Sequence, residues 1–348
     1  MHTFKAHRLR FVSEVTSTVE LNEHQGSAIR GALFHAMRSR FCGNRDADNC
    51  AACPLVATCP VAALLSTVRR GAERGRDVPR PYAVQPPLPG SAGHPVEDDY
   101  GRLFFHYRAG EQLAFGLTLY AQARQLFPYV IMTIKTFEEA GLGRRMERGG
   151  GKWRRGTLAV QEVWAENPLT DQRQALLEDD GDMVQMPDIP VTHHQVCEAA
   201  DACVRERLGN GADGALRLTF LTPTRLVESG QLVKPHQFRF KPLLQRLLDR
   251  LESLSQHFSE KKLCVDFSGL VQASERVRVV DNRLWWEELN SYSTRRHCDS
   301  PTSGLLGTVT LDAADWSPFL PHLVWGQFTQ VGKDAVKGNG VYQIAQDG

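Results

Sequence analysis

Apolar and polar positions alternate with different periods along this chain, and each change of period predicts an element. Residues 3–15 suggest a first strand, with imperfect alternation. Over 22–41, Ile29, Leu33, Ala36 and Met37 recur at helical spacing, which predicts an amphipathic helix with Asn22 as its N-cap. Residues 79–96 are rich in Pro and Gly and read as an irregular insertion. Leu113, Phe115, Leu117 and Leu119 alternate cleanly, the mark of a half-buried strand. A helix over about 122–140 is expected to end at Gly141-Leu142-Gly143, with a strand following near 157–165.

The second half repeats the plan. Leu216, Leu218 and Phe220 alternate before Thr222-Pro223, and Leu243, Leu244, Leu247, Leu248, Leu251 and Leu254 then form one helical stripe. Strand-like runs at 276–280 and 305–311, a helix over about 317–329, a glycine-spaced loop and a strand at 340–345 complete it. Both halves end helix, glycine-rich loop, strand. An α+β chain built from a duplicated βαββαβ module explains this repeat, with two unrelated α+β domains as the competing reading. The expected divisions are an N-terminal domain over 1–166, a connection over 167–212 with one helix near 193–208, and a C-terminal domain over 213–348.

Composition narrows the function classes. With 348 residues, 42% hydrophobic and 23% charged, the chain has the make-up of an ordinary globular protein large enough for two cores. A net charge of +1 gives no global field for nucleic acid, so basic surface must be local. It gathers in Arg38–Arg45, Arg69–Arg80, Arg144–Arg155 and Arg295–His297, while acid collects in Glu166–Asp188. No run approaches the ~18 consecutive apolar residues of a membrane span, and Met1–Lys5 lacks a signal-peptide core, so a cytoplasmic protein without membrane partners is expected.

Three stretches carry candidate chemistry. In the tail Gln330–Ile344, Gly332, Lys333, Lys337, Gly338 and Gly340 suggest a loop that exposes several backbone N–H groups beside two ammonium groups, suited to a phosphate chain. Cys42, Cys50, Cys53 and Cys59 place half of the eight cysteines within 18 residues, where even scattering would put about 0.4. Four thiolates suit a structural zinc, with an iron–sulfur cluster as the alternative and Pro60 after Cys59 in its favour; unligated loop thiols remain a further reading. On the predicted helix, the side opposite the apolar stripe gathers His24, Ser27, Gly31, His35 and Arg38. His24 and His35 are eleven residues apart, close to three turns, and are expected to point the same way. A histidine one turn from an arginine offers a titratable base beside a fixed cation, as phosphodiester chemistry requires; a solvated polar face is the plainer reading. His193-His194 reads as a solvated loop, Trp285-Trp286 as core packing, and the adjacent pairs Asp98-Asp99 and Asp179-Asp180 lack the spacing of a two-metal nuclease.

Taken together, Thr222-Pro223-Thr224-Arg225-Leu226, the leucine-striped helix, Gly304–Val309 and the Gly332–Gly340 loop resemble the CRISPR-associated precursor-RNA-processing endoribonucleases of the RAMP superfamily. Ile29–Arg38, the cysteine cluster ending Cys59-Pro60 and the Gly141-Leu142-Gly143 turn with its basic loop are similar to one branch of that family. The resemblance implies two tandem ferredoxin-like (RRM-like) domains, with the cysteine-rich metal-binding loop 42–59 inserted in the first. It also implies metal-independent cleavage of CRISPR repeat RNA, in which the ribose 2′-hydroxyl attacks and 2′,3′-cyclic phosphate and 5′-hydroxyl ends result. His35 is then the expected base, with His24 second and His297 an outside candidate. Arg38 or Lys333 would stabilise the charged transition state. Gly332, Lys333, Lys337, Gly338 and Gly340 would hold the RNA backbone, helped by Lys152, Arg154 and Arg155 in the first glycine loop. One departure is that the ground just after the first helix, where many relatives carry the catalytic histidine, is the cysteine loop here. Two rivals stay open: a non-catalytic RAMP subunit binding crRNA within an effector complex, and a metal-thiolate DNA-binding regulator, for which the sequence shows no recognition helix.

Overall fold

Alternation in Lys-Ala-His-Arg-Leu-Arg-Phe-Val produces a strand, β1 (Lys5–Val15), whose Leu9, Phe11 and Val15 are fully buried. The computed structural model describes residues 3–47, 50–67, 78–147, 150–177, 183–207, 214–261, 263, 265–293 and 298–344. His297 and the Asp179-Asp180 pair lie outside them. The chain forms two units, one of residues 7–167 and 172–190, the other of 1–6, 168–171 and 191–348.

In the amino-terminal unit, β1 is followed by α1 (Gln25–Phe41), β2 (Tyr82–Gln85), β3 (Gln112–Tyr120) and α2 (Phe127–Lys135). A hairpin of β4 (Leu142–Glu147) and β5 (Trp153–Gly156) then precedes β6 (Leu158–Asn167) and β7 (Gln172–Leu177). The sheet order β7-β6-β1-β3-β2 contains the 4-1-3-2 order of a ferredoxin-like βαββαβ module, with β7 added at its edge. Helix α1 buries Ile29, Leu33 and Met37, the apolar stripe its spacing predicts.

Four local expectations need correction. Asn22 ends a short strand, Val19–Asn22, and the residue before α1 is His24. Residues 79–96 are not wholly irregular: Tyr82, Ala83 and Val84 are buried in β2, because burial on both faces replaces alternation with a short apolar run. The helix expected over 122–140 is three pieces, a 3-10 turn over Ala121–Leu126, α2, and Phe137–Ala140. Pro128 sits in the first turn of α2, where the missing N–H costs nothing. Residues 172–177, expected in a connection, form β7 and pair with β6.

The carboxy-terminal unit holds α3 (His193–Arg207), β8 (Gly214–Thr224), α4 (Phe240–Phe258), β9 (Arg278–Glu287), β10 (Gly304–Ala313), α5 (Leu320–Thr329) and β11 (Tyr342–Ile344). Its sheet order β9-β10-β8-β11 is again the ferredoxin-like order, read 2-3-1-4. All six leucines of the α4 stripe are completely buried, each contributing about 2 kcal/mol. Phe240, at the start of α4, packs edge-on against Trp316 and Phe319 with centroids 5.5 and 5.3 Å away. His193 is not in a solvated loop; it opens α3, and its Nδ1 accepts the Trp325 indole N–H at 3.2 Å. No helix among the described residues is long and apolar enough to cross a membrane.

Candidate nucleic-acid interface

Helix α1 carries the amino-terminal unit's main candidate. His35 lies on its exposed side, and the Phe34 ring meets it edge-on at 5.7 Å. Its pKa is held below the usual histidine value, first by partial burial and then by the nearby positive charges of Arg155, Arg30 and Arg38. Arg30 and Arg38 come from the same helix at i−5 and i+3. Arg155 comes from β5, 120 positions away in sequence, so only the fold brings it here. The imidazole is thereby kept neutral at neutral pH among fixed cations.

His24 does not share that environment. It precedes the helix, where its carbonyl accepts from Ser27 N–H at 2.9 Å, and it is only 5% exposed. The projection that aligned it with His35 fails because His24 lies outside the helical turns. Arg38 is exposed and donates to the Arg45 carbonyl at 3.3 Å, while Arg45 returns a bond to the Ser39 carbonyl at 2.6 Å.

Lys152, Arg154 and Arg155 stand on or beside a strand of the β4–β5 hairpin, with Met146 facing Arg154 and Glu147 facing Trp153. All three are exposed. Arg155 Nε donates to the Gly143 carbonyl at 3.0 Å, tying β5 to the start of β4. Sequence reasoning missed Glu20, which anchors the same hairpin. This buried carboxylate contacts His106 Nε2 at 2.8 Å and Arg144 Nη1 at 3.2 Å. The Arg144 guanidinium also lies 4.8 Å from the Phe104 ring centroid. Glu20, His106 and Arg144 are far apart in sequence, and nothing in their spacing announces the link.

The glycine loop belongs to the carboxy-terminal unit. Several of its amides bond within the protein: Lys333 N–H bonds the Arg225 carbonyl at 3.0 Å, Gly340 N–H the Pro223 carbonyl at 3.1 Å, and Val331 N–H the Gly340 carbonyl at 3.1 Å. The N–H groups of Lys337, Gly338 and Asn339 bond to Asp334 and Ala335. Gly332 and Gly340 have φ of +87° and +76°, and a side chain on either would press on the Arg225 or Val331 carbonyl. These glycines therefore permit close packing of loop on strand end. Lys337 pairs with Asp334 at 3.0 Å, leaving Lys333 as the exposed cation of the loop.

Cys42, Cys50, Cys53 and Cys59 share one turn-rich segment, and all four are free thiols. Among the described residues, no three His, Cys, Asp or Glu side chains are grouped closely enough to hold a metal. Trp285 and Trp286 are not core residues: Trp285 is 52% exposed, and the two indoles donate to Glu287 and Glu288.

Comparison with known proteins agrees with this architecture. A family model described as the AF_1859 N-terminal domain matches residues 4–189, and the model for CRISPR-associated endoribonuclease Cas6 matches residues 218–342. Among solved structures, a partial Cas6-RT-Cas1–Cas2 complex is similar over 99% of this chain and 47% of that chain, with 13% identity and a TM-score of 0.60. A Cas6-RT-Cas1–Cas2 complex gives the same identity and TM-score over 99% of this chain and 29% of that one. The chain thus spans less than half the length of either. A Thermus thermophilus Cas6 is matched more loosely, with 12% identity, 97% and 98% coverage and a TM-score of 0.47. No curated protein sequence matches significantly. The amino-terminal model covers more than half of the chain, so the chain belongs to the family of the AF_1859 N-terminal domain, and its carboxy-terminal residues 218–342 match the Cas6 model, with the ferredoxin-like strand order in both units.

Proposed function

We propose that this protein is an endoribonuclease that cuts precursor RNA within CRISPR repeats in the cytoplasm. The observation carrying this reading is His35, a neutral exposed imidazole facing the charges of Arg155, Arg30 and Arg38. In the proposed step, His35 takes the proton from the ribose 2′-hydroxyl beside the scissile phosphate. The freed oxygen attacks phosphorus, the bond to the 5′-oxygen breaks as that oxygen takes a proton from water, and a 2′,3′-cyclic phosphate and a 5′-hydroxyl form, with His35 returning its proton to solvent. Arg38 and Arg155 offset the negative charge that builds on the phosphoryl oxygens. Because the nucleophile belongs to the substrate, this route uses no metal-bound water. His24, being buried, is the second candidate for proton transfer.

RNA backbone contacts fall to Lys152, Arg154 and Arg155 in one unit and to Lys333 and Lys337 in the other, with Gly332, Gly338 and Gly340 shaping that second loop. Product crRNA, and effector-complex proteins that retain it, are the partners this reading implies. A structural zinc at Cys42, Cys50, Cys53 and Cys59, or an iron–sulfur cluster in its place, would require the segment to draw its sulfurs together, and enters no catalytic step.

The deciding experiment incubates the protein with its own repeat RNA in EDTA. Cyclic-phosphate ends, abolished by one deoxynucleotide at the cleavage position, are the expected result. RNA that is bound but left intact would identify a non-catalytic binding subunit instead.

A further inference from the structure

We propose that Trp153 is a stacking platform for an unpaired RNA base, placed beside the phosphate on which Arg155 acts. The proposal rests on the RNA-processing reading and adds a recognition element to it. Trp153 is 60% exposed in the short strand β5. No hydrogen bond involves its indole among the described residues.

Its surroundings point to the occupant. Lys152 and Arg154 flank it, Arg155 follows, and Arg144 and Arg145 lie on the paired strand, with Glu147 as the one opposing carboxylate. Strand alternation puts Trp153 and Arg155 on one face of the hairpin, ~7 Å apart along β5. A flat π-surface one strand step from a guanidinium matches a base and its neighbouring phosphate. Trp285 makes an informative contrast: it is also exposed, yet its indole edge is bonded to the Glu287 carboxylate at 3.0 Å, and Glu288 follows directly. Duplex RNA keeps its bases stacked on each other, so the platform selects a single-stranded stretch.

The test uses a short fluorescent single-stranded oligoadenylate RNA and the duplex it forms with its complement. Stacking tolerates any base, so this probe reports on Trp153 whether or not the protein cuts repeat RNA. Trp153→Ala should weaken single-strand binding about tenfold, Trp153→Phe much less, and neither should alter duplex binding. The slope of log Kd against log salt should stay at its wild-type value in Trp153→Ala, since no phosphate charge is lost. Arg154→Ala should lower that slope by about one. Wild-type affinity in Trp153→Ala, or a defect that disappears at high salt, would overturn the stacking role. Intact repeat RNA together with a Trp153-dependent oligoadenylate affinity would sink the nuclease reading while leaving the platform standing.

Discussion

Arg155 acts on His35 across 120 residues of sequence: a guanidinium on a short hairpin strand helps to hold the imidazole of a helix in its neutral form. A base needs that form, and the phosphoryl group it works on needs the cation. One electrostatic influence therefore serves both halves of the proposed chemistry.

His35→Ala should lower the single-turnover cleavage rate by roughly 10²-fold or more, with RNA affinity nearly intact, as loss of proton transfer predicts. Unchanged cleavage in a rate measurement at saturating protein would move the base elsewhere.

The pH profile follows from the sign of the shift. A depressed histidine stays neutral to lower pH, so the acidic limb of the cleavage profile should fall below the ordinary value of 6.5. Arg155→Gln removes one cation, lets the His35 pKa climb and should carry that limb upward. Burial is the larger cause, so the displacement is partial. A limb that does not move would remove Arg155 from the coupling.

Gly332→Ala and Gly340→Ala should each destabilise the fold by about 2 kcal/mol or more, because a side chain at positive φ is strained and would also press on a carbonyl. Thermal unfolding measures this directly. A fall in RNA affinity with an unchanged Tm would instead assign the glycines to ligand contact.

His322, buried beside His193, has its pKa pushed down to about 4. Its unfolded-state value is higher, so the folded state binds fewer protons between roughly pH 6.5 and 4. Stability should therefore be intact above that window and lost as pH falls through it, by about 3 kcal/mol. Denaturant titrations at pH 7 and 4.5 should show a smaller difference in His322→Leu than in the wild type.

Elemental analysis decides the cysteine segment. Zinc is expected at one atom per chain, with Cys53→Ser releasing it and lowering Tm; a wild-type protein containing neither zinc nor iron would end the metal proposal.

Much of the fold was legible because burial leaves a periodic trace. The leucine stripe of α4, the alternation in β3 and the return of helix, loop and strand in each half were visible as patterns, and both modules followed. Strand β2 was hidden because Tyr82–Val84 is too short and too evenly apolar to show a period. The core reading of Trp285 failed because composition cannot tell an edge strand's outer face from its inner one. The resemblance drawn from scattered motifs reached the family. The glycines of the tail loop stand where an added side chain would press on the protein's own carbonyls, a packing constraint that their spacing alone does not announce.

Local sequence, then, decided which segments coil and which extend, because hydrophobic spacing acts over a few residues. Only the tertiary structure decided that the charge of Arg155 reaches His35, that His24 is buried, that Glu20 ties His106 to Arg144, and that Trp153 is left open. Those outcomes depend on strands pairing over long separations, and no short-range pattern records which strand will bring its charge to which helix.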